Sequence, residues 1–286
     1  MSGCAPTDSS TLAVIAGAGR LPGAIAQSGR KAGRRVHLVA LRELADADGT
    51  ARADSCEWLF LGEFARMIES FARAGAREVV LAGKVPKAFL WQHRDAVRPD
   101  AKALALLSSL KDRKDDSMLG AIAELLAREG LAVASQLELA AEWVAPRGVI
   151  AGRELTDAER ADVAFGLPIA RALGRLDVGQ CVVVQQRAVL ALEAIEGTDA
   201  AIARGLALAE RGLPACAVKV AKPQQDPRFD VPVVGIRTLG TLLAGGGSAL
   251  AVEAGRTLVL DRDELAHEAK RAGIAVVGVD GQTGEA

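Results

Sequence analysis

The side chains best suited to chemistry lie in a run of charged residues and prolines, AKPQQDPRFDVP at 221–232. Each of its three prolines fixes φ and removes a backbone donor, so a helix is disfavoured and the run is expected to be extended. In an extended chain alternate side chains share one face. That face carries Lys222, Gln224, Asp226, Arg228 and Asp230. Such an ionic face either presents charges to a pocket or belongs to a solvated edge strand that prolines and charges protect from aggregation.

A glycine-rich turn near the N-terminus, GAGRLP at 17–22, lies where a strand pattern changes to a helical one. Backbone N–H groups at a helix N-terminus can bind a phosphate, although the same sequence also fits a tight turn that binds no ligand. A dinucleotide fingerprint requires a third glycine where this chain has Pro22. It also requires an acidic residue after the second strand, where this chain has Leu41 and Arg42. Nicotinamide binding is therefore disfavoured.

Two lysines follow the fourth predicted strand, in GKVPK at 83–87. The carboxyl ends of strands in open α/β sheets face the ligand crevice, so Lys84 and Lys87 are expected to meet phosphate oxygens unless they are simply solvated.

Asp115 and Asp116 precede a helical run. Capping that helix and complementing its dipole is the favoured interpretation of these two acids.

More polar groups stand at the ends of apolar runs, in DVGQ at 177–180, EAIEGTDA at 193–200 and VEAGRT at 252–257. A helix cap explains Thr198 or Asp199 as well as a ligand role does. An ion pair on a hairpin explains Glu253 and Arg256 equally well.

The motifs that are absent also restrict the chemistry. The histidines His37, His93 and His267 lack the clustering that a binuclear metallophosphoesterase needs for its metals. The sequence contains no serine nucleophile elbow, no P-loop and no HExxH motif. Any phosphate chemistry would therefore depend on carboxylates that hold a hard cation such as Mg²⁺.

Length and composition bound the class of protein. At 286 residues the chain exceeds what one hydrophobic core usually serves, so two domains are expected. A net charge of −1, an aromatic content of 3% and the absence of tyrosine argue against nucleic acid as a partner. The separated cysteines indicate neither a zinc site nor a disulfide framework, and no signal peptide or run of 18 apolar residues is found. We therefore expect a cytoplasmic protein.

The elements that must position these residues alternate regularly in the first half. Strand patterns are separated by glycine turns and helical runs such as EFARMIESFARAG. The strand patterns are TLAVIAG, RRVHLVAL, CEWLFL and AREVVLAG. Strands that alternate with helices predict a doubly wound, mostly parallel sheet. We assign residues 1–136 to a Rossmann-like N-terminal domain of the α/β class.

The second half, residues 137–286, is predicted to be a catalytic α/β domain. Thr156 and Glu159 form a capping box before a helix that Pro168 is expected to kink or break. A hairpin is expected around residues 186–187, and a strand, a helix and a strand are expected to close the chain.

Seven motifs together identify a family resemblance over almost the whole chain. They are GAGRLP, GKVPK, KDRKDDSMLG, DVGQCVVV, EAIEGTDA, KVAKPQQDPRFDVPVVG and VEAGRTLVLDRDEL. In this order they resemble the Mg²⁺-dependent UDP-2,3-diacylglucosamine pyrophosphatases of lipid A biosynthesis in Gram-negative bacteria. The family meant is the one unrelated to the calcineurin-like metallophosphoesterases, which agrees with the scarcity of histidine. The pattern KPxQDxRFDxP is the most specific of the seven.

The resemblance implies a reaction and a site. The reaction is hydrolysis of the UDP-linked glycolipid to UMP and 2,3-diacylglucosamine 1-phosphate (lipid X), with Mg²⁺ as cofactor. The resemblance also implies two α/β domains with a substrate cleft between them, and Asp226 stands where the family's catalytic aspartate is expected. The predicted substrate-binding residues are Gly17, Gly19, Leu21, Pro22, Lys84, Lys87, Gln180, Thr198, Asp199, Gln225, Glu253 and Arg256.

Catalysis would depend on the charged run at 221–232. We expect Asp226 to bind Mg²⁺ or to act as a base that orients the attacking water, and Lys222 and Arg228 to pair with the phosphates. Asp230 is the second predicted metal ligand. On a straight strand Asp226 and Asp230 would lie roughly 13 Å apart, so they can share one ion only if the chain bends at Pro227.

The expected partner is the UDP-linked diacyl glycolipid, with its acyl chains in an apolar groove. The enzyme is expected to act at the cytoplasmic face of the inner membrane through peripheral contact with its surface, and a homodimer is left open. Two interpretations compete with this one. A non-catalytic two-domain sensor of a nucleotide or sugar would tolerate replacement of Asp226, and a nicotinamide oxidoreductase is already disfavoured by Pro22.

Overall fold

The computed structural model describes residues 10–86, 89, 93–110, 115–223, 226–281 and 283. The chain forms two compact units. One comprises Met1–Ala140 together with Asp226–Phe229, and the other comprises Ala141–Gln225 and Asp230–Ala286. The short stretch Asp226–Phe229 therefore packs with the first unit, although it lies far along the chain.

The first unit is built on a five-stranded parallel sheet. Its strands are β1 (Thr11–Ala16), β2 (Arg35–Leu41), β3 (Ser55–Leu59), β4 (Ala76–Ala82) and β5 (Ala132–Val133). Their order across the sheet is β3-β2-β1-β4-β5, with every neighbouring pair parallel. This is the strand order of a Rossmann-type doubly wound sheet. The predicted α/β class and parallel N-terminal sheet are confirmed.

Helices connect these strands, as the alternating pattern predicts. They are α1 (Leu21–Lys31), α2 (Ala47–Thr50), α3 (Phe64–Arg73), α4 (Ala101–Ser109), α5 (Asp115–Arg128) and α6 (Gln136–Leu139), with a 3₁₀ turn at Arg94–Ala96. Phe71 of α3 and Leu126 of α5 are fully buried in a core that also contains Val39 and Phe229. Burial of Phe229 attaches the distant stretch Asp226–Phe229 to this core.

The second unit contains a six-stranded mixed sheet with the order β6-β13-β11-β9-β7-β8. These strands are β6 (Gly148–Gly152), β7 (Cys181–Gln185), β8 (Ala188–Leu192), β9 (Cys216–Lys219), β11 (Ala249–Glu253) and β13 (Ala275–Val279). A separate parallel pair joins β10 (Val233–Val234) to β12 (Leu258–Val259). In the large sheet β9, β11 and β13 are parallel, whereas β6, β7 and β8 run antiparallel to their neighbours.

Helices cover both faces of this second sheet. They are α7 (Asp157–Arg175), α8 (Thr198–Ala207), α9 (Ile236–Ala244) and α10 (Arg262–Ala272), with a 3₁₀ turn at Ala141–Trp143. Val163 and Leu167 of α7 pack on one face, and Ile202 of α8 and Leu239 of α9 pack on the other. The central strands are apolar on both sides, which is the pattern expected of strands buried on two faces.

Three local predictions for the second half can be compared with the structure. Thr156 and Glu159 do form a reciprocal capping box at the start of α7. Of the kink or break predicted at Pro168, the break does not occur, because α7 continues through this residue to Arg175. The buried face of α7 on the sheet outweighs the loss of one helical hydrogen bond at the proline. The predicted hairpin is present, with its turn at residues 186–187 in the left-handed region.

Among the described residues, no helix combines the length and the apolar composition needed to cross a membrane.

Candidate active site

The carboxyl ends of β1 and β4 form the topological switch point of the first unit, where ligands of open α/β sheets bind. The segments after the two strands meet there. The Ala18 N–H donates to the Lys84 carbonyl at 2.8 Å, and the Lys84 N–H donates to the Ala18 carbonyl at 2.9 Å. The structure therefore brings together the predicted residues Gly17, Gly19 and Lys84, which the sequence separates by more than sixty positions.

Close backbone approach explains two of the glycines at this point. A Cβ on Gly17 would lie 2.7 Å from the Lys84 carbonyl oxygen, and a Cβ on Gly83 would lie 2.7 Å from the Ala18 carbonyl oxygen. Gly83 also has a φ of +85°, which favours glycine. A Cβ on Gly19, by contrast, would meet nothing within 4 Å. Gly19 therefore borders open space, whereas Gly17 and Gly83 serve the contact between the two segments.

Helix α1 begins at this glycine turn, with Leu21 and Pro22 as its first, buried residues. A proline is tolerated there because the first N–H groups of a helix have no intrahelical partner. The Arg20 side chain makes no capping hydrogen bond, and the first turn contains no acidic residue. The positive end of the helix is thus compatible with a phosphate.

The predicted extended conformation is wrong at Asp226–Phe229, where the chain forms a turn. The Phe229 N–H donates to the Asp226 carbonyl at 3.3 Å, and the Arg228 N–H donates to the Asp226 Oδ1 at 2.9 Å. Proline pre-sets the φ of the second position of a β-turn, and aspartate favours the first position. Asp226 and Pro227 occupy these two positions. The bend at Pro227 required for a shared ion is therefore present.

Asp226 forms a bidentate ion pair with Arg228. The guanidinium Nε lies 3.0 Å from Oδ1 and Nη2 lies 2.6 Å from Oδ2, and both side chains are partly exposed. Hydrogen bonds from Arg228 lower the pKa of Asp226 below its usual range, although partial burial acts in the opposite direction. Asp226 is therefore a carboxylate at neutral pH.

In the second unit, polar residues collect at the carboxyl edge of β9 and β11. Lys222 follows β9, and Glu253 ends β11 beside it. Strand β7 runs antiparallel to β9, so Gln180, immediately before β7, lies at the same edge. Glu193 follows β8, which is antiparallel to β7, and so reaches that edge as well. The strand order therefore gathers residues from four different parts of the chain.

Lys222 is buried among carboxylates, with only 8% of its surface exposed. Its Nζ lies 2.6 Å from Asp177 Oδ1 and 3.8 Å from Asp230 Oδ2. The sequence predicted a partnership of Lys222 with phosphates and did not identify Asp177 as a partner. The predicted metal ligand Asp230 is thus close to an ammonium group.

Glu253 and Arg256, two predicted substrate-binding residues, bind the backbone of Ala221 and Lys222. The buried Glu253 carboxylate accepts the Ala221 N–H at 2.9 Å and the Arg256 Nη1 at 3.3 Å. Arg256 also donates through Nη2 to the Lys222 carbonyl at 3.1 Å. The ion pair considered in the sequence is present, and it supports the segment that leads to Asp226.

The polar residues around α8 form hydrogen bonds and ion pairs with other residues of the second unit. Glu193 accepts the Thr198 hydroxyl at 3.0 Å and the Gln180 N–H at 3.3 Å, so two predicted residues converge on a carboxylate that was not predicted. Asp199 accepts from Arg237 and Thr238 of α9, each at 2.9 Å. The N-cap of α8 is Gly197. It is neither Thr198 nor Asp199, which the sequence offered for that position.

Asp177 and Glu193 are the site residues that the sequence analysis did not select. Asp177 begins the motif DVGQ after a helix, and Glu193 begins the motif EAIEGTDA after an apolar strand. The signal that could have identified both residues is an acidic side chain at the end of a helix or an apolar strand. Two other predicted substrate-binding residues, Lys87 and Gln225, lie outside the described residues.

Within the described ranges, no group of three or more His, Cys, Asp or Glu side chains could hold a metal ion. The two predicted ligands are instead near cations, Asp226 beside Arg228 and Asp230 beside Lys222. Magnesium is usually held by one or two carboxylates together with substrate phosphates and waters. Asp226 fits such a site as a single carboxylate that requires the substrate to complete the coordination.

Two family models match nearly the whole chain. Residues 11–143 match the LpxI N-terminal domain, and residues 146–277 match the LpxI C-terminal domain. The UDP-2,3-diacylglucosamine pyrophosphatase LpxI of Caulobacter vibrioides is 35% identical over 283 residues, which cover 95% of this chain and 98% of that protein. A solved biotin carboxylase domain of a thermophilic 2-oxoglutarate carboxylase is 10% identical over 60% of this chain and 34% of its own, with a TM-score of 0.26. So low a score carries no weight for the fold.

Proposed function

This chain belongs to the LpxI family, and from that membership we propose that it hydrolyses the pyrophosphate bond of UDP-2,3-diacylglucosamine. The products are UMP and 2,3-diacylglucosamine 1-phosphate, an intermediate of lipid A biosynthesis. The observation that carries the proposal is the similarity along both units to a pyrophosphatase of that specificity. The family resemblance identified from the seven motifs is confirmed.

Hydrolysis of a pyrophosphate makes two demands on a site. Water attacks one phosphorus, the bridging P–O bond breaks, and negative charge increases on the phosphoryl oxygens. The site must therefore neutralise that charge and hold the water. Asp226 and Arg228 provide a carboxylate and a guanidinium within one turn, which supports their assignment as the catalytic pair.

The protonation state of Asp226 argues against a role as a general base. General bases work best when their pKa lies near the operating pH. The pKa of Asp226 is lowered by Arg228, so its carboxylate accepts a proton poorly. We propose that Asp226 orients water or binds Mg²⁺ and that it does not remove the proton from water in the rate-limiting step.

Arg228 has donors left over for the substrate. Its contacts with Asp226 use Nε and Nη2, and within the described part of the chain Nη1 has no hydrogen-bond partner. A guanidinium can bind two oxyanions at once through its planar set of donors. We propose that Arg228 contacts a phosphate oxygen through Nη1 while it remains paired with Asp226.

Magnesium is proposed as the cofactor, with Asp226 as its protein ligand. Held by Asp226, it would supply positive charge that neutralises the phosphoryl oxygens. Asp230 is the weaker candidate because Lys222 lies near its carboxylate. The glycine turn at Gly17–Gly19 and Lys84 are proposed to bind phosphate at the switch point of the first sheet.

Product analysis of the purified chain tests the function. UDP-2,3-diacylglucosamine is presented in detergent micelles, and UMP and the lipid monophosphate are quantified with Mg²⁺ and after chelation. We expect equal amounts of the two products, loss of both on chelation, and recovery when Mg²⁺ is added back. UMP release that persists after chelation would refute the proposed Mg²⁺ requirement and would still support the hydrolase activity. Tight binding without UMP would favour the sensor.

Cellular placement and assembly follow as secondary proposals. A substrate with two acyl chains resides in a membrane, so we propose that the protein meets it by peripheral contact at the cytoplasmic face of the inner membrane. Cosedimentation with vesicles that contain the glycolipid would test that contact. The sequence leaves a homodimer open, and the sedimentation coefficient of the purified chain would distinguish it from a monomer.

A further inference from the structure

Helix α7 ends in a motif that usually requires glycine, and this chain has Asp177 there. The Asp177 N–H donates to the Gly174 carbonyl at 3.1 Å, and the Val178 N–H donates to the Leu173 carbonyl at 3.2 Å. This pair of bonds defines a Schellman motif, whose next-to-last residue adopts the left-handed conformation. The φ of Asp177 is +55°. A non-glycine residue is less favourable than glycine there, because its Cβ approaches the following carbonyl oxygen.

Other helices of the same chain have glycine at the equivalent position. Helices α1, α5 and α9 end with the same two hydrogen bonds, and the corresponding positions are Gly33, Gly130 and Gly246, all with positive φ. Asp177 therefore departs from the residue that this chain uses elsewhere in the same geometry. A less favourable backbone residue is expected to be retained for what its side chain does.

The side chain of Asp177 forms a buried ion pair. Its carboxylate lies 2.6 Å from Nζ of Lys222, and the exposed fractions of the two side chains are 14% and 10%. The same ammonium lies 3.8 Å from Asp230. Lys222 and Asp230 are the two ends of the segment that carries Asp226. The ion pairs thus close the base of that segment, and Asp177 attaches it to the end of α7.

Packing at the end of α7 supports the same attachment. A Cβ on Gly174 would lie 3.2 Å from both the Cα of Lys222 and the Cδ of Pro223. The absence of a side chain at Gly174 lets the helix end approach the backbone of Lys222 directly. Arg256 holds that backbone from another side through the Lys222 carbonyl.

We propose that Asp177 is a positioning residue for the hydrolysis described above: its carboxylate fixes Lys222 and thereby the base of the segment that presents Asp226. This inference rests on the proposed function. It assigns Asp177 no contact with substrate and gives Lys222 a tethering role at the base of the segment. This role explains why an aspartate stands where glycine is preferred.

The test compares Asp177→Asn with Asp157→Asn. Asparagine tolerates the left-handed conformation about as well as aspartate, so the first variant removes the charge with little change in backbone preference. Asp157 lies at the start of the same helix with a fully exposed side chain, which makes it a matched control. For UMP release well below the melting temperature, we expect kcat of Asp177→Asn to fall at least tenfold with KM within twofold. The control should match the wild type.

A second variant and a second readout keep the inference testable if Asp177→Asn does not fold. Asp177→Gly fits the φ of this position and also lacks the carboxylate, so it should show the same loss of kcat. Hydrogen exchange at the amides of Arg228, Phe229 and Asp230 should be at least tenfold faster in either variant, whether or not UMP is released. Wild-type kcat in a folded variant, or unchanged exchange at these amides, would overturn the inference. Absence of UMP from the wild type would instead contradict the proposed function.

Discussion

At the residue level, the pairing of Asp226 with Arg228 determines what the site can do. The bidentate contact keeps the carboxylate ionised and fixes its direction through a backbone hydrogen bond within the same turn. A lysine in place of Arg228 would retain the charge but would lose the planar set of donors. The geometry of this pair therefore matters more than its net charge.

Arg228→Lys tests that geometry. We expect UMP release to fall by on the order of tenfold, because an ammonium cannot bind both carboxylate oxygens and a phosphate in the same plane. Arg271→Lys is the matched control, since Arg271 forms a similar contact with Glu268 through Nε and Nη2 on the surface of α10. Equal activity of the two variants would show that Arg228 contributes only charge.

At the level of elements, the two strand ends at the switch point depend on glycine for their contact. Gly83→Ala should lower the free energy of unfolding more than Gly75→Ala does. Both positions have positive φ, which costs roughly 1–2 kcal/mol for alanine. Only at Gly83 would the new Cβ also lie 2.7 Å from a backbone carbonyl oxygen, whereas at Gly75 it meets nothing within 4 Å. Urea denaturation of both variants measures the difference, and equal losses would contradict this account.

A buried histidine joins β2, β3 and α3. His37 Nδ1 lies 2.7 Å from the Ser55 hydroxyl, and Nε2 lies 2.8 Å from the Ser70 hydroxyl. Ser70 donates in turn to Glu57 at 2.6 Å, so it accepts from His37, and Nε2 carries the proton of the neutral ring. Burial lowers the pKa of His37, Arg73 adds to this effect, and Glu57 opposes it.

This histidine predicts a pH dependence of stability. His37 binds a proton more weakly in the folded state than in the unfolded state. Its contribution to the free energy of unfolding is therefore complete above pH 6.5 and is lost as the pH falls below that value. One such group changes the free energy of unfolding by at most about 1.4 kcal/mol per pH unit. His37→Gln should flatten the dependence below pH 6.5, and His267→Gln, at an exposed position, should not. Parallel curves for the wild type and His37→Gln would contradict the assignment.

At the level of the whole molecule, the alternation of strands and helices was predictable because it depends on local periodicity. Strands β1 to β4 and the capping box at Thr156 are examples. The turn at Asp226 was mispredicted as extended because proline's fixed φ suits both a strand and the second position of a turn. The aspartate before Pro227 was the signal for the turn.

Which side chains pair with each other in the site could not be predicted from the sequence, for a different reason. Asp177 pairs with Lys222 across 45 positions, and this contact depends on how α7 and β9 pack. Glu193 meets Gln180 because β7 and β8 are antiparallel neighbours. Motifs identified the residue types and the family, whereas the packing of the sheet determined which charges are paired.

UMP release by Asp226→Asn compared with Asp48→Asn tests the central claim most directly, with both variants confirmed as folded. Asp48 is an exposed aspartate of α2 and serves as the control. We predict that Asp226→Asn, which keeps the size of the side chain and removes its charge, loses on the order of 100-fold or more in kcat. The control should equal the wild type. Activity of Asp226→Asn within a few-fold of the wild type would contradict the claim that this carboxylate is catalytic.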